Sequence, residues 1–273
     1  MSFYFPVSDC HARHHRRDYS LVLFSLVYIT CAVNYDGSGS LAAQKVLAIM
    51  TWSALIVMLW DENKETRMQV ILTLTFATLA EHFASIYMGC YRYRFNNVPL
   101  YVPPGHGVIY LAIIALARSG FFLHYARKIT LVVLVAGGSW VLWGVFFAAR
   151  EDLTGAVLFI LFLIYVFKGR APMIYLAAFF VSTWLEIVGT FSGTWAWAEI
   201  DPIFGLTQAN PPSGVAACYC FVDSLAIINT KLGLKAWNFM LKKIEMIKIP
   251  LTSRQTQWVS KCRCFVKKMR NNV

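Results

Sequence analysis

A length of 273 residues would suit one or two soluble domains. With 58% hydrophobic residues, 14% charged residues and a mean hydropathy of +0.54, the composition excludes a disordered chain, a collagen and a small disulfide scaffold. Apolar stretches long enough to cross a bilayer recur down the whole chain, which indicates an all-α, polytopic membrane helix bundle.

Hydropathy divides the chain into a basic leader at 1–18, about eight candidate spans, and a basic tail at 231–273. The spans are 20–33, 41–60, 68–90, 107–123, 129–149, 153–167, 172–195 and 214–229. The first has a basic leader and small residues near Thr30-Cys31-Ala32, so a cleaved signal peptide is the alternative reading there. With the N-terminus inside, the inner segments hold 21 of the 25 Lys and Arg residues, leaving Lys45, Arg92, Arg94 and Arg150 outside. This places both termini in the cytoplasm, and the asymmetry fits a bacterial cytoplasmic membrane.

The formal net charge of +11 would otherwise suggest nucleic acid, but eleven of the basic residues follow Asn229 and lie at the inner face. Between 235 and 249 the apolar Trp237, Met240, Leu241, Ile244 and Ile247 share a helical face, with Lys242, Lys243 and Lys248 around it. The segment reads as an interfacial helix on anionic lipid, followed by a polybasic tail, and nucleic-acid binding is not expected. Seven cysteines are scattered over spans and tail: Cys218-x-Cys220 reads as packing and Cys262-x-Cys264 as reduced cytosolic thiols. The His11, His14 and His15 cluster reads as part of a solvated leader.

Comparing the chain with itself yields an internal match. Gly89-Cys90-Tyr91-Arg92-Tyr93 corresponds to Gly193-Thr194-Trp195-Ala196-Trp197, an offset of 104 residues. Each ends a span and leads to a proline pair and a glycine, Pro103-Pro104 with Gly107 and Pro211-Pro212 with Gly214. The simplest architecture is two four-span repeats, 19–124 and 125–230, running parallel through the membrane. The prolines should form rigid caps over whatever lies beneath, and Gly189-x-x-x-Gly193 a helix-packing surface.

Glu81 lies eight residues before Gly89 and Glu186 seven before Gly193, which puts both carboxylates about 10–12 Å below the outer helix ends. Asp223 is a third intramembrane acid. A charge at such depth costs about 2.5–3.5 kcal/mol on insertion scales, so these groups should face the bundle interior. Glu81, His82, His106, Glu186 and Asp223 are the candidate acid/base groups, the alternative being that Glu81, His82, Glu186 and Asp223 merely hydrogen-bond neighbouring helices. Arg92, Arg94, Tyr91, Tyr93, Trp195, Trp197 and Asn210, just above, are candidate substrate contacts, although the aromatics equally suit the belt at a membrane interface. No nucleotide loop, zinc-protease motif, nucleophile elbow or redox signature is present; His and carboxylate ligands could equally hold a metal, though Glu81-His82, the one pair close in sequence, cannot define a site alone.

The run Glu186-x-x-Gly189-x-x-x-Gly193-x-Trp195-x-Trp197 resembles the span-ending pattern of membrane carotenoid-biosynthesis proteins of the bisanhydrobacterioruberin-hydratase type, which join a Glu, two glycines and an aromatic pair. The family's Pro-Phe-Gly between glycine and aromatics is absent; Pro202-Ile203-Phe204-Gly205 follows them instead. The resemblance implies water addition to an isoprenoid double bond, with Glu186 as the acid it transfers. The expectation is an integral membrane enzyme doing acid/base chemistry on a lipid or isoprenoid in an outward-facing cavity. The alternative is a proton-coupled transporter or a hydrophobic-ligand-binding membrane protein.

Overall fold

In a computed structural model, which describes residues 15–246, each of the eight apolar segments holds a helix. These are α1 (His15–Ser38), α2 (Leu41–Leu59), α3 (Lys64–Glu81), α4 (Val102–Ala117), α6 (Ala126–Phe146), α7 (Leu153–Lys168), α8 (Pro172–Phe191) and α9 (Ala216–Met246). A five-residue α5 (Gly120–His124) turns the chain between α4 and α6. Helices α1, α2, α3 with its extension, α6, α8 and α9 are long and apolar enough to cross a membrane, and α4 and α7 are shorter apolar helices. The chain is thus an integral, multi-pass membrane protein.

Local chemistry sets the helix starts. Ser40, Asn63 and Asp152 each accept a backbone N–H of the following first turn, as N-caps do. Pro172 opens α8, where its missing N–H is not needed. Pro103 and Pro104 do the same for α4, so the first proline pair lies inside a helix and is not a cap loop; the span begins at Val102. The last span also exceeds its expected end. Helix α9 continues unbroken for 31 residues, about 46 Å, so the segment read as a separate interfacial helix extends a membrane helix. From Lys235 to Ile244 none of its residues is buried. The polybasic stretch beyond Met246, with Cys262 and Cys264, and the leader with His11 and His14 lie outside the described residues.

The bundle is organised around α4, whose residues from Val108 to Ala117 are almost all buried. Ala, Ile, Leu, Val and Tyr occupy every face of it, the pattern of a helix enclosed on all sides. It packs on α1, α2, α3 and α8, while α9 packs on α3, α7 and α8. Two glycines permit the closest approaches. A Cβ on Gly107 would come within 2.8 Å of the Leu55 side chain, and one on Gly214 within 2.2 Å of the Phe159 backbone nitrogen on α7.

A charge cluster ties the ends of α1, α2 and α4 together. Arg118 donates to Asp18 at 2.9 Å through Nε and to Glu62 at 2.9 and 3.1 Å through its terminal nitrogens, and Arg17 pairs with Glu62 as well. Burial alone would push the Glu62 carboxyl up, but the hydrogen bonds and charges of Arg118 and Arg17 outweigh it and hold the group below its ordinary value. Burial of Arg118 is likewise outweighed by Glu62 and Asp18, which raise its pKa and keep it charged.

The main departure from an all-α fold among the described residues is small and sits at the opposite end. Beyond α3 the helix widens into a π-helical turn, His82–Met88, and ends at Gly89 in the left-handed conformation; α8 ends at Gly193 in the same conformation. Each glycine feeds a three-residue strand, β1 (Tyr91–Tyr93) and β2 (Trp195–Trp197).

Candidate functional site

Strands β1 and β2 form an antiparallel ribbon with Tyr91 opposite Trp197, Arg92 opposite Ala196 and Tyr93 opposite Trp195. Because side chains alternate across a strand, all four rings fall on one face while Arg92 and Ala196 point the other way and are exposed. The rings interlock: Tyr91 and Trp197 lie 4.7 Å apart between centroids, Tyr93 and Trp195 5.9 Å. They are not a belt at the membrane surface, since Tyr93, Trp195 and Trp197 are buried.

Their polar tips reach down to the two acids. Tyr91 and Tyr93 donate to Glu81 Oε2 at 2.6 and 2.8 Å, and Trp195 and Trp197 donate to Glu186 Oε2 at 3.0 and 3.1 Å. Each remaining carboxylate oxygen has one further donor, His106 Nε2 at 2.9 Å for Glu81 and the Tyr219 hydroxyl at 2.9 Å for Glu186. His106 and Tyr219 are themselves ring neighbours at 5.7 Å. Six donors thus meet two carboxylates, and the two sets differ in kind. An indole N–H only donates, so Trp195 and Trp197 hold Glu186 as an acceptor, whereas a histidine beside Glu81 can give or take a proton. Burial, reinforced by Glu81, pushes the Tyr91 and Tyr93 phenols well above their ordinary pKa and keeps them as donors.

This geometry depends on Gly189. A Cβ there would lie 1.9 Å from the Trp195 ring, so the glycine makes room for the indole to reach Glu186 from the same helix. Gly193 has nothing within 4 Å of a Cβ, and its left-handed φ of 70° is what turns the chain into β2. The Gly189-x-x-x-Gly193 spacing therefore serves a local turn and its aromatic, not the helix-packing surface expected of it.

Below the ribbon is a cavity of about 440 Å³. Its walls are chiefly apolar, with Ala77, Ile109, Leu158, Leu185 and Val222 among them. Phe83, on the turn that extends α3, and Phe221, on α9, also line it and are more than half exposed, so the cavity wall reaches the outer face of the bundle. The lid is made by the ribbon and by the segment after β2. That segment is pinned by Arg150, which donates to the carbonyls of Trp197, Ala198 and Gln208, and by Asp152, which accepts from the backbone of Ala209 and Ser213.

Of the residues expected from sequence, Glu81, His106, Glu186, Tyr91, Tyr93, Trp195 and Trp197 line the cavity together at its ribbon end, and Asp223 lines it further down. Four do not belong. His82 is exposed on the far side of its helix and donates through Nδ1 to the Thr78 carbonyl at 2.8 Å, because one residue of helix turns it about 100° from Glu81. Arg92 is turned outward by strand alternation. Arg94 anchors the ribbon to the α1–α2 turn through the carbonyls of Asp36 and Gly39, both at 2.8 Å. Asn210 is exposed and accepts the Trp197 backbone N–H at 2.9 Å, so it ties its loop to β2. Tyr219 belongs to the site without any motif to announce it; its only mark in the sequence is its place between Cys218 and Cys220, one turn into the last span. Among the described residues no group of three His, Cys, Asp or Glu side chains is placed to hold a metal ion. No family model, curated protein or solved structure matches the chain.

Proposed function

We propose that the chain is a membrane enzyme performing acid/base chemistry on a lipid or isoprenoid substrate bound in the cavity beneath the ribbon. The observation that carries this is the Glu81–His106 pair, 2.9 Å apart, on the wall of a mainly apolar cavity open toward the lipid. Glu81 keeps its pair oriented through Tyr91 and Tyr93, and a positioned His–carboxylate pair is the requirement for proton transfer. For the water addition that the carotenoid-type resemblance implies, the pair supplies a proton to one carbon of the double bond. The cation formed at the other carbon faces Glu186 and the aromatic faces around it. Water then forms the new C–O bond and returns its surplus proton to the pair, so that the net change is one water added.

The architecture that goes with this reading is eight crossings in two parallel four-span halves, with both termini in the cytoplasm. It is supported by the equivalent ends of α3 and α8 and by a ribbon whose antiparallel register is centred on Arg92 and Ala196, as a two-fold relation requires. The pairings of α3 with α4 and of α8 with α9, and the cross-contacts of α3 with α9 and α4 with α8, agree with it.

The test is an untargeted mass analysis of lipids from membranes containing the protein, incubated in ¹⁸O-labelled water. We expect lipid species carrying the label, lost in Glu81→Gln at unchanged melting temperature. Identical extracts from wild type and Glu81→Gln would overturn the proposal. The second reading, a proton-coupled transporter or hydrophobic-ligand carrier, is favoured by Asp223 lining the same cavity below the acids. Substrate-dependent proton flux in liposomes, with no change in the lipid, would establish it instead.

A further inference from the structure

At the end of the cavity away from the ribbon, two buried polar atoms stand without a partner. Asp223 on α9 and Thr73 on α3 are each 2% exposed and both line the cavity. Among the described residues neither Asp223 Oδ2 nor Thr73 Oγ1 has a hydrogen-bond partner. A helical threonine ordinarily returns its hydroxyl to the carbonyl four residues back, as Thr51, Thr75, Thr78 and Thr230 do here. The Thr73 hydroxyl does not, although that carbonyl lies on its own helix.

Nothing nearby supplies what these atoms lack. His106 is the only basic side chain lining the cavity among the described residues, and it is engaged by Glu81. The Tyr110 hydroxyl, also at the cavity wall, is committed to Gln69 Oε1 at 3.2 Å. Buried polar groups are paired in folded proteins, and a bare carboxylate oxygen in a membrane interior is among the costliest exceptions. An ionised Asp223 Oδ2 only accepts, the Thr73 hydroxyl accepts as well as donates, and both line a space large enough to hold a ligand. Along α9, Asp223 lies one turn below Tyr219, the ring neighbour of His106, and along α3 Thr73 lies two turns below Glu81, which by helical rise is about 6 and 12 Å respectively.

We infer that Asp223 and Thr73 form a second polar subsite, which receives a hydrogen-bond donor, a hydroxyl or an ammonium, on an otherwise apolar ligand whose reacting part lies at Glu81 and His106. The inference rests on the reading of the cavity as a lipidic ligand site and specifies that ligand as bearing a donor one to two helical turns from its reacting part.

The test is binding, read without turnover. Full-length protein in nanodiscs is titrated with 1-decanol, decylamine and decane, following the fluorescence of the tryptophans above the cavity. Each probe is compared between wild type, Asp223→Leu and Thr73→Val, so that partition into the lipid cancels. Decanol, decylamine or both should bind about tenfold more weakly to Asp223→Leu while decane is unaffected. Loss confined to decylamine identifies an ammonium, and loss of decanol identifies a hydroxyl. Thr73→Val keeps shape and folding and should weaken the same polar probe. Equal affinity of wild type and Thr73→Val for every probe, or equal losses for decane, overturns the subsite. A chain that shows the polar preference yet never labels a lipid would retain the subsite and lose the enzymatic reading.

Discussion

Tyr91 and Trp197 face each other across the ribbon with ring centroids 4.7 Å apart, yet their polar tips serve different acids, Tyr91 reaching Glu81 and Trp197 reaching Glu186. The contact therefore joins the two donor sets while each carboxylate keeps its own. Tyr91→Phe should cost about 1–3 kcal/mol of stability by leaving Glu81 one donor short. Trp197→Phe should cost a similar amount at Glu186, and the double variant should depart from additivity because the rings touch. Thermal melts of the four proteins in one detergent check all three values.

Glycine substitutions rank by what the new methyl meets. At Gly107 it meets the flexible Leu55 side chain, so Gly107→Ala should cost about 1–3 kcal/mol. At Gly214 it meets the backbone of α7, which has nowhere to go, so Gly214→Ala should be the more damaging by melting temperature. Gly189→Ala should expel the Trp195 ring and be visible as a red-shifted tryptophan emission.

The buried charge cluster predicts the acid limit of stability. Glu62 titrates below its ordinary value when folded, so its contribution is fully present above the unfolded pKa and is lost as pH falls through the folded one. Melting temperature should decline on acidification below about pH 4.3, the reference carboxylate value, and Glu62→Gln should flatten that decline. Arg118→Met leaves Asp18 and Glu62 buried without their shared partner and should cost about 3–5 kcal/mol at neutral pH.

Burial, helped by Asp201, pushes the Cys90 thiol up to about 11. In the folded protein Cys90 should resist iodoacetamide at pH 8 and react on denaturation, which peptide mapping by mass spectrometry will show.

Much of this fold is legible in the chain. Eight apolar segments translate into eight helices because a bilayer leaves the backbone no other way to satisfy its hydrogen bonds within one segment. Glu81 and Glu186 are legible as candidate-site residues because an acid inside an apolar segment needs an interior environment, and both line the cavity. Helix ends were the weak point: Pro103 and Pro104 suit a first turn as readily as a loop, and the lysines after Lys235 give no signal that α9 continues.

By itself the sequence determined that the protein lies in a membrane, how many apolar helices it has, and that Glu81 and Glu186 lie within its apolar segments, because hydropathy is a property of consecutive residues. Only the tertiary structure decided which of the neighbours belong to the site. His82 adjoins Glu81 in sequence and faces away, whereas Tyr219, 33 residues from Glu186, completes its donors. The aromatics read as a belt turn inward because two strands distant in sequence pair and set their alternation. Asp223 and Thr73 share one cavity because α3 packs on α9. Direction of side chains and pairing across the bundle are relations between segments, and a single chain read in order does not contain them.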